Sequence, residues 1–285
     1  MQLLTDKNDT VLILMPAEIP GSIGMLLAQG LENFGAKTIR YGLPKTDWTK
    51  SLQEAEELLE LMRREHVTAV VAVPAHMETL AKLMIRQTAS DSPAPAASPK
   101  PPAPQTPGGR FSEAAATQPN RRNTPESADP GGSPDSPSTN QTNAPIKLTS
   151  VLLSADYVPE DAVAIIRQAF QCHVYEHYGM TEMGLGCAVD CGEGGGYHIR
   201  ELDLYLEIID PQTGEVIRDD RPGEIVFTTL TRKGMPFIRY RTGDRSRWIL
   251  QQCPCGSILK KLGKVESRNV VKGYLRSDSE AEETR

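Results

Sequence analysis

The segment with the clearest chemical content is Tyr178-Gly179-Met180-Thr181-Glu182, which directly follows a strand predicted over His173–His177. Loops at the carboxyl ends of strands are where α/β sheets bind their ligands. In such a loop an aromatic ring can stack on a purine, a threonine hydroxyl can bond to a phosphate oxygen, and a glutamate can hold Mg²⁺. The alternative is an ordinary loop with a buried tyrosine and a helix-capping Thr-Glu pair. The segment therefore indicates a nucleotide site, and a motif of five residues needs further support.

A second candidate segment lies further along the chain, where Gly223–Leu230 is followed by Pro236–Asp244. An aspartate in a glycine turn after a strand can accept two hydrogen bonds from the hydroxyls of a ribose. Asp244 follows Gly243, so it is a candidate ribose ligand. The alternative is a turn aspartate flanked by solvated arginines.

Three cysteines and one histidine form two local pairs that could hold a metal ion. Cys253 and Cys255 belong to a Cys-Pro-Cys-Gly turn, and Cys191 and His198 flank a glycine-rich stretch. Three thiolates and one imidazole are a usual ligand set for structural, tetrahedral Zn²⁺. We therefore predict a zinc site, and the alternative is four unligated loop residues.

The glycine-rich stretch Gly192–Gly196 does not open a helix after a strand, so it is not a dinucleotide fingerprint. It is predicted to be a flexible loop that lets Cys191 and His198 converge. Cys187 competes with Cys191 as a ligand, whereas Cys172 lies beside a strand and is predicted to be a core residue.

Hydrophobic periodicity predicts the scaffold that positions these residues. In the first part of the chain, short apolar runs alternate with amphipathic segments, which indicates βαβ units and a parallel sheet. After Tyr197, alternating patterns and a turn at Asp210–Gly214 indicate a smaller antiparallel, β-rich part. The predicted fold class is therefore α/β, with βαβ layers followed by a β-rich subdomain. The predicted strands are Thr10–Met15, Ala36–Tyr41, Val67–Val73, Ser150–Leu153, His173–His177, Leu204–Ile209, Glu215–Arg218 and Glu224–Leu230, and the predicted helices are Gly21–Phe34, Asp47–Glu65, Met77–Arg86 and Pro159–Phe170.

A segment of different composition, Ser90–Asn143, interrupts the α/β pattern. It holds most of the 22 prolines, and Phe111 is its one large apolar residue. Such a segment cannot bury enough surface to offset the entropy of ordering it. It is therefore predicted to be a disordered insertion.

Charge and composition exclude several classes of partner. The net charge is −6, which indicates neither nucleic acid nor an anionic membrane as the main partner. No apolar run reaches the roughly 18 residues that span a bilayer, and the start of the chain lacks the pattern of a secretion signal. The five cysteines are an odd number, which favours thiols or metal ligands over disulfides. We predict a cytoplasmic protein.

In this order, the two motif segments resemble the adenylate-forming superfamily, with the closer match to its phenylacetate-CoA ligase group. Residues 178–182 are similar to that group's Tyr-Gly-x-Thr-Glu motif, and residues 239–244 to its Arg-Tyr-Arg-Thr-Gly-Asp motif. Ser154-Ala155-Asp156 stands where the family carries a Gly-Ala-Glu segment of the adenine pocket, with Asp in place of Glu. The resemblance covers residues 11–86 and 148–268.

The resemblance implies a two-step reaction in which a small carboxylic acid and ATP give an acyl-adenylate and diphosphate, and CoA then displaces AMP. It implies Mg²⁺, an acid pocket near residues 178–186, and the homodimer that is common in the family. Thr181 and Glu182 would be the catalytic residues, with Glu182 on Mg²⁺. Some family members resemble the zinc arrangement of this chain. The implied nucleotide-binding residues are Ser154, Ala155, Asp156, Tyr178, Gly179, Met180, Thr181, Asp244 and Arg268, and the implied zinc ligands are Cys191, His198, Cys253 and Cys255.

The sequence departs from the family pattern at both ends. The Ser/Thr/Gly-rich phosphate loop is not found, and Asn269 and Val270 follow Arg268 where the family continues with a hinge aspartate. Lys272 cannot be assumed to replace the lysine of the family's C-terminal domain. We therefore expect an incomplete adenylate-forming domain. The predicted divisions are 1–87 and 148–198 for the α/β part, 88–147 for the insertion, 199–268 for the β-rich part and 269–285 for a flexible tail.

Two other functions remain open at this stage. The chain could be a catalytically inactive adenylate-binding remnant or a regulatory protein that presents the insertion to a partner. A structural module that binds only zinc would leave the segment around Asp244 unexplained.

Overall fold

The computed structural model describes residues 5–90, 146–184 and 186–268. Most of the predicted insertion and the predicted tail therefore lie outside the described residues. Within the described ranges the strands form one sheet of nine strands and one of five. In the same ranges no helix is both long enough and apolar enough to cross a membrane.

The first part of the chain builds a parallel sheet with helices on both faces, which confirms the α/β prediction. Five parallel strands lie side by side in the order β5-β4-β3-β1-β2. They are β1 (Thr10–Leu14), β2 (Lys37–Arg40), β3 (Ala69–Ala72), β4 (Ser150–Leu153) and β5 (His173–Tyr178), and the helices are α1 (Ile23–Phe34), α2 (Gln53–Arg64), α3 (Pro74–Ser90) and α4 (Glu160–Phe170).

After a polar first residue in β1 and β4, the central strands β1, β3 and β4 are apolar, as expected of strands with both faces covered. Leu12 and Leu14 of β1 belong to a core shared with α2, α3 and α4, whereas Val11 and Ile13 belong to a core shared with α1. Alternate residues of a strand point to opposite faces, so one short run serves two cores. The helix predicted before Gly35 ends there as expected, with Gly35 in the left-handed region at φ +104°.

The start of α2 differs from the prediction. The helix begins at Gln53, and the predicted first turn at Asp47 is a loop. There the Asp47 carboxylate accepts hydrogen bonds from the backbone N–H and the hydroxyl of Thr49. Local bonds of this kind compete with helix formation. In addition, the loop buries Trp48 against the first core.

The remaining strands are antiparallel and serve two sheets. Four of them extend the first sheet beyond β5 in the order β6-β7-β13-β12, and five form the second sheet in the order β14-β11-β10-β8-β9. The chain thus leaves the first sheet after β7 and returns to it at β12. Their ranges are β6 (Ala188–Asp190), β7 (Tyr197–Ile199), β8 (Leu204–Ile209), β9 (Val216–Ile217), β10 (Gly223–Thr229), β11 (Tyr240–Ser246), β12 (Trp248–Ile249), β13 (Lys261–Leu262) and β14 (Ser267–Arg268).

Candidate functional site

The two segments of the predicted adenine pocket lie at the carboxyl ends of neighbouring strands. Leu153, the last residue of β4, pairs with Glu176 of β5. Residues 154–156 and residues 178–180 therefore leave the same edge of the sheet together. Parallel sheets bind ligands at this edge.

A hydrogen bond joins the two motif segments. The hydroxyl of Tyr178 donates to Oδ2 of Asp244 at 2.9 Å, across 66 positions of sequence. Asp244 is only 4% exposed, so this carboxylate is held inside the protein between the two sheets. Burial and the negative charge of Asp244 both raise the pKa of the Tyr178 phenol.

Asp244 lies within a strand, so the predicted glycine turn after a strand is wrong. It is part of β11, and its backbone pairs with Arg268 of β14. The preceding Gly243 has φ +74°, and the pairing of β10 with β11 shifts register between Glu224 and Val226. A glycine at positive φ beside such an irregularity is typical of a β-bulge. The side chain of Arg268 lies outside the described residues.

The arginines of the second motif are ion-paired. Arg239 Nε lies 3.1 Å from a carboxylate oxygen of Glu207, and Arg241 bonds to the carboxylate of Glu224. Both glutamates are buried. Both arginines are also exposed to solvent, so they are solvated as the alternative had it, and each one in addition compensates a buried negative charge.

The two predicted catalytic residues lie in a short 3₁₀ helix, Thr181–Met183, that follows β5. Thr181 is exposed and Glu182 is partly buried. Met183 is buried in the core of the second sheet, so the helix is anchored by its last residue. This arrangement leaves the threonine hydroxyl and the glutamate carboxylate near the edge where Tyr178 lies.

The neighbouring predicted segment has an unusual backbone at its centre. Ala155 has φ +75°, a conformation that residues with a Cβ rarely adopt. Ala155 and Asp156 are exposed, and Ser154 is buried. Strained backbone of this kind is common where a chain meets a ligand.

The sequence did not lead us to predict His177 as a site residue, although it forms a hydrogen bond with Ser154. Ser154 Oγ lies 2.8 Å from Nδ1 of His177. Burial, aided by the positive charge of Arg200, lowers the pKa of His177 to about 4. The available signal was a histidine directly before the tyrosine motif, on a strand that also carries His173 and Glu176.

Glu176, which was also not predicted as a site residue, connects β5 with the segment before β14. The carboxylate of Glu176 accepts a bond from Lys264 Nζ at 2.5 Å and one from the Tyr197 hydroxyl at 3.1 Å. Glu176 is buried. The ring of Tyr197 also stacks beside that of Tyr178, with centroids 6.3 Å apart. Lys264 therefore fixes the segment before β14 against the strand that carries the tyrosine motif.

The four predicted metal ligands meet in space. Cys191 Sγ lies 3.5 Å from Cys253 Sγ, and Cys255 Sγ lies 3.3 Å from Nε2 of His198. All four donor atoms lie within 4.8 Å of one another. A tetrahedron with Zn–S bonds of about 2.3 Å has edges of about 3.8 Å. The donor set and its spacing therefore fit a tetrahedral zinc ion.

The surroundings of this cluster also fit a metal. The other ring nitrogen of His198 lies 3.2 Å from the carbonyl oxygen of Leu259, a contact that orients metal-binding imidazoles. Burial raises the pKa of Cys253, but hydrogen bonds from the Cys255 backbone and from His198 lower it more, so the net pKa is below its ordinary value. Cys187, the competing ligand, is buried in the core of the second sheet.

The comparisons with known proteins agree on one family. Residues 42–230 match the family described as AMP-binding enzyme. The chain is 41% identical over 112 residues to a phenylacetate-coenzyme A ligase of Aromatoleum evansii, and this alignment covers 37% of the chain and 25% of the relative. It is 35% identical over 131 residues to a phenylacetate-coenzyme A ligase of Pseudomonas putida, and this alignment covers 45% of the chain and 30% of that relative.

Solved structures show the same fold at low identity. A 2-hydroxyisobutyryl-CoA ligase in the postadenylation state superposes with a TM-score of 0.63 at 18% identity, covering 94% of the chain and 45% of that protein. An O-succinylbenzoate coenzyme A synthetase of Bacillus subtilis in complex with AMP gives a TM-score of 0.51 at 14% identity, covering 94% of the chain and 42% of that protein. The chain thus spans less than half the length of these proteins.

Proposed function

Because the chain belongs to the family of AMP-binding enzymes, we propose that it carries the adenylate site of an ATP-dependent carboxylate-CoA ligase of the phenylacetate-CoA ligase type. The full reaction converts a carboxylic acid, ATP and CoA to an acyl- or aryl-CoA, AMP and diphosphate. The observation that carries this proposal is the hydrogen bond between Tyr178 and Asp244. It brings an aromatic ring and a buried carboxylate from two separate motifs to the ligand-binding edge of the sheet.

The arrangement suggests a role for each part of the nucleotide. The Tyr178 hydroxyl is already bonded to Asp244, so the ring is left to stack on adenine. Residues 154–156 lie at the adjacent strand end and would form the other wall, with the backbone of Gly179 and Met180. Asp244 would bind the ribose. Arg268 pairs with Asp244 through its backbone and would complete the ribose side.

The phosphates would lie next to the 3₁₀ helix. In the first half-reaction, a carboxylate oxygen of the acid attacks the α-phosphorus of ATP, and the bond to the diphosphate breaks. The Thr181 hydroxyl would donate to a phosphate oxygen, and Glu182 would hold Mg²⁺. Bound there, Mg²⁺ would neutralise charge on the phosphates. In the second half-reaction, the CoA thiol loses its proton to solvent, its sulfur attacks the carbonyl carbon, and AMP leaves.

The first test is acid-dependent exchange of diphosphate into ATP, measured with Mg²⁺ on the purified full chain over a panel of aryl and short acyl acids. Exchange should occur with at least one acid and should fall by more than about 100-fold in Glu182→Ala. Glu215→Ala removes an exposed carboxylate directly before β9; this variant is the matched control and should retain exchange. Equal exchange in Glu182→Ala and the control would refute the assigned role.

A second candidate function is adenylate binding without turnover. The contact that joins the two motifs, between Tyr178 and Asp244, lies in the part of the proposed site that would hold adenosine, and this observation favours it. Calorimetry with AMP separates the candidates. AMP binding without exchange for any acid would support a binding or regulatory role, and neither binding nor exchange would overturn both.

The cysteine cluster supports a second proposal, a structural zinc ion held by Cys191, His198, Cys253 and Cys255. The observation that supports this proposal is that three sulfur atoms and one imidazole nitrogen, from three separate segments of the chain, lie close together. Such an ion would clamp the loop between β12 and β13 to β7, which carries His198. Structural zinc contributes directly to folding free energy.

Elemental analysis of the purified chain tests the zinc proposal. We expect about one zinc per chain, lost in Cys253→Ser together with a fall in melting temperature. Cys172→Ser is the matched control, because that thiol lies against the first core and should not affect metal content. A zinc-free wild-type protein, purified without chelator, would refute the proposal.

Two further proposals concern the setting of the protein. Five free thiols in the structure support a reducing compartment such as the cytoplasm. We also propose a homodimer as the functional form, on the basis of the family resemblance alone, with neither nucleic acid nor membrane as a partner. Light scattering of the purified chain tests the homodimer.

A further inference from the structure

Lys261 is a buried lysine beside the cysteine cluster. It is 7% exposed, and lysine is almost never buried to this extent unless it is paired. Its Nζ donates to the carbonyl oxygen of Gly194 at 2.7 Å and reaches Sγ of Cys253 at 3.4 Å. In the part of the chain that the structure describes, Lys261 forms no ion pair with a carboxylate. The Cys253 sulfur is therefore the group that can carry the balancing charge.

The register of the sheet explains why the ammonium lies there. Lys261 of β13 is directly opposite His198 of β7, and residues opposite each other on neighbouring strands share a face of the sheet. The adjacent residue, Lys260, is exposed and pairs with Glu201 at 3.0 Å. Two consecutive lysines thus have different surroundings, and only one contacts a proposed metal ligand.

The charge of the proposed site favours a cation beside Cys253, the one ligand of the four that is buried. Three thiolates, one neutral imidazole and one Zn²⁺ sum to a single negative charge. A buried negative charge without compensation is costly, and the ammonium of Lys261 brings the sum to zero. We propose that Lys261 is the counter-ion of the zinc centre, and that its N–H group holds the Cys253 thiolate in a weakly nucleophilic state. This inference rests on the proposed zinc site.

The inference predicts a specific change in Lys261→Met, which keeps the length and apolar stem of the side chain. The zinc dissociation constant should rise by about 10- to 100-fold, the usual effect of removing a group that bonds to a metal ligand. Zinc release by iodoacetamide should become faster, because the thiolate loses its hydrogen bond. Lys260→Met removes a neighbouring charge that does not contact the cluster, so it should match the wild type.

The experiment uses the zinc-loaded full chain of the wild type and the two variants. Competition with a chromophoric chelator gives the affinities, and iodoacetamide-triggered release gives the reactivity. In the cobalt-substituted proteins, the thiolate-to-cobalt charge-transfer band should move to lower energy in Lys261→Met alone. A purely structural role for Lys261 would not move that band. Affinity, release rate and band position equal to those of Lys260→Met would overturn the proposal.

A labelling experiment on the wild type covers the case in which Lys261→Met does not fold. Acetylation by acetic anhydride, read by mass spectrometry, should spare Lys261 in the zinc-loaded protein and modify it after chelation. Lys260 should be modified in both states and serves as the internal reference. Equal labelling of Lys261 in the two states would overturn the proposal. If the wild type takes up no zinc, the zinc site itself fails, and that outcome is recognised before any variant is compared.

Discussion

The hydrogen bond between Tyr178 and Asp244 predicts that Tyr178→Phe is a costly change, although it removes one oxygen atom. Asp244 is 4% exposed and accepts the phenol hydrogen at 2.9 Å. A hydrogen bond to a charged group contributes about 1.5–3 kcal/mol, and the variant leaves a buried carboxylate with one donor fewer. We therefore expect the free energy of unfolding to fall by about 2 kcal/mol. The ring remains, so AMP should still bind, with a several-fold weaker affinity because Asp244 loses its orienting partner.

Urea unfolding measured with and without AMP gives both quantities, since a ligand stabilises the folded state according to its concentration and affinity. Tyr205→Phe is the matched control. Tyr205 lies on β8 and is 49% exposed, so its hydroxyl should contribute less than about 0.5 kcal/mol. If Tyr178→Phe unfolds at the same urea concentration as Tyr205→Phe, the hydrogen bond does not join the two motif segments in solution.

Two further predictions concern the scaffold. Glu54 loses solvent on folding, which raises its pKa, but bonds from the Lys45 N–H, the Thr46 hydroxyl and N–H, and the Trp48 indole lower the pKa to about 2. Glu54→Gln should therefore cost about 2–3 kcal/mol at pH 7. Its deficit relative to the wild type should shrink as pH falls below 4.5 towards 2, as measured by urea unfolding between pH 7 and 3 against Glu56→Gln. Gly196 has φ +144°, and an added Cβ would lie 2.1 Å from the Leu262 carbonyl oxygen. Gly196→Ala should abolish zinc uptake in elemental analysis, whereas Gly234→Ala, where an added Cβ meets nothing within 4 Å, should retain it.

Local patterns allowed much of the parallel half of the fold to be predicted. A buried parallel strand is a short apolar run, and its length and ends can be read from the sequence, as in Thr10–Leu14 and Ala69–Ala72. The stop of α1 at Gly35 was equally visible, because a glycine in the left-handed region ends a helix by local geometry alone. The start of α2 was misplaced because the Glu54 carboxylate accepts hydrogen bonds from the backbone N–H groups of Lys45 and Thr46 in the preceding loop. Helical periodicity does not reveal such bonds.

The antiparallel extension of the first sheet could not be predicted in the same way. The strands β6, β7, β12 and β13 have two or three residues each. Strands of this length have no periodicity to detect, and the pairing of β13 with β7 places Lys261 opposite His198, far away in the sequence. The proposed metal ligands could be found from residue type alone. Lys261 and Glu176 could not, because their partners, the Cys253 sulfur and the Lys264 ammonium, are brought to them by the pairing of the strands.

The short strands also connect the two candidate sites. His198 of β7 belongs to the cysteine cluster, and Tyr197, its neighbour, bonds to Glu176 at the end of β5. On the return strand, Lys261 contacts Cys253, and three residues later Lys264 bonds to the same Glu176. Lys264 therefore holds the segment before β14, the strand that pairs with β11 at Asp244, against β5. We expect a metal held by the cysteines to stabilise this segment, and with it the pairing of β14 with β11 at Asp244, without touching Asp244 or Tyr178.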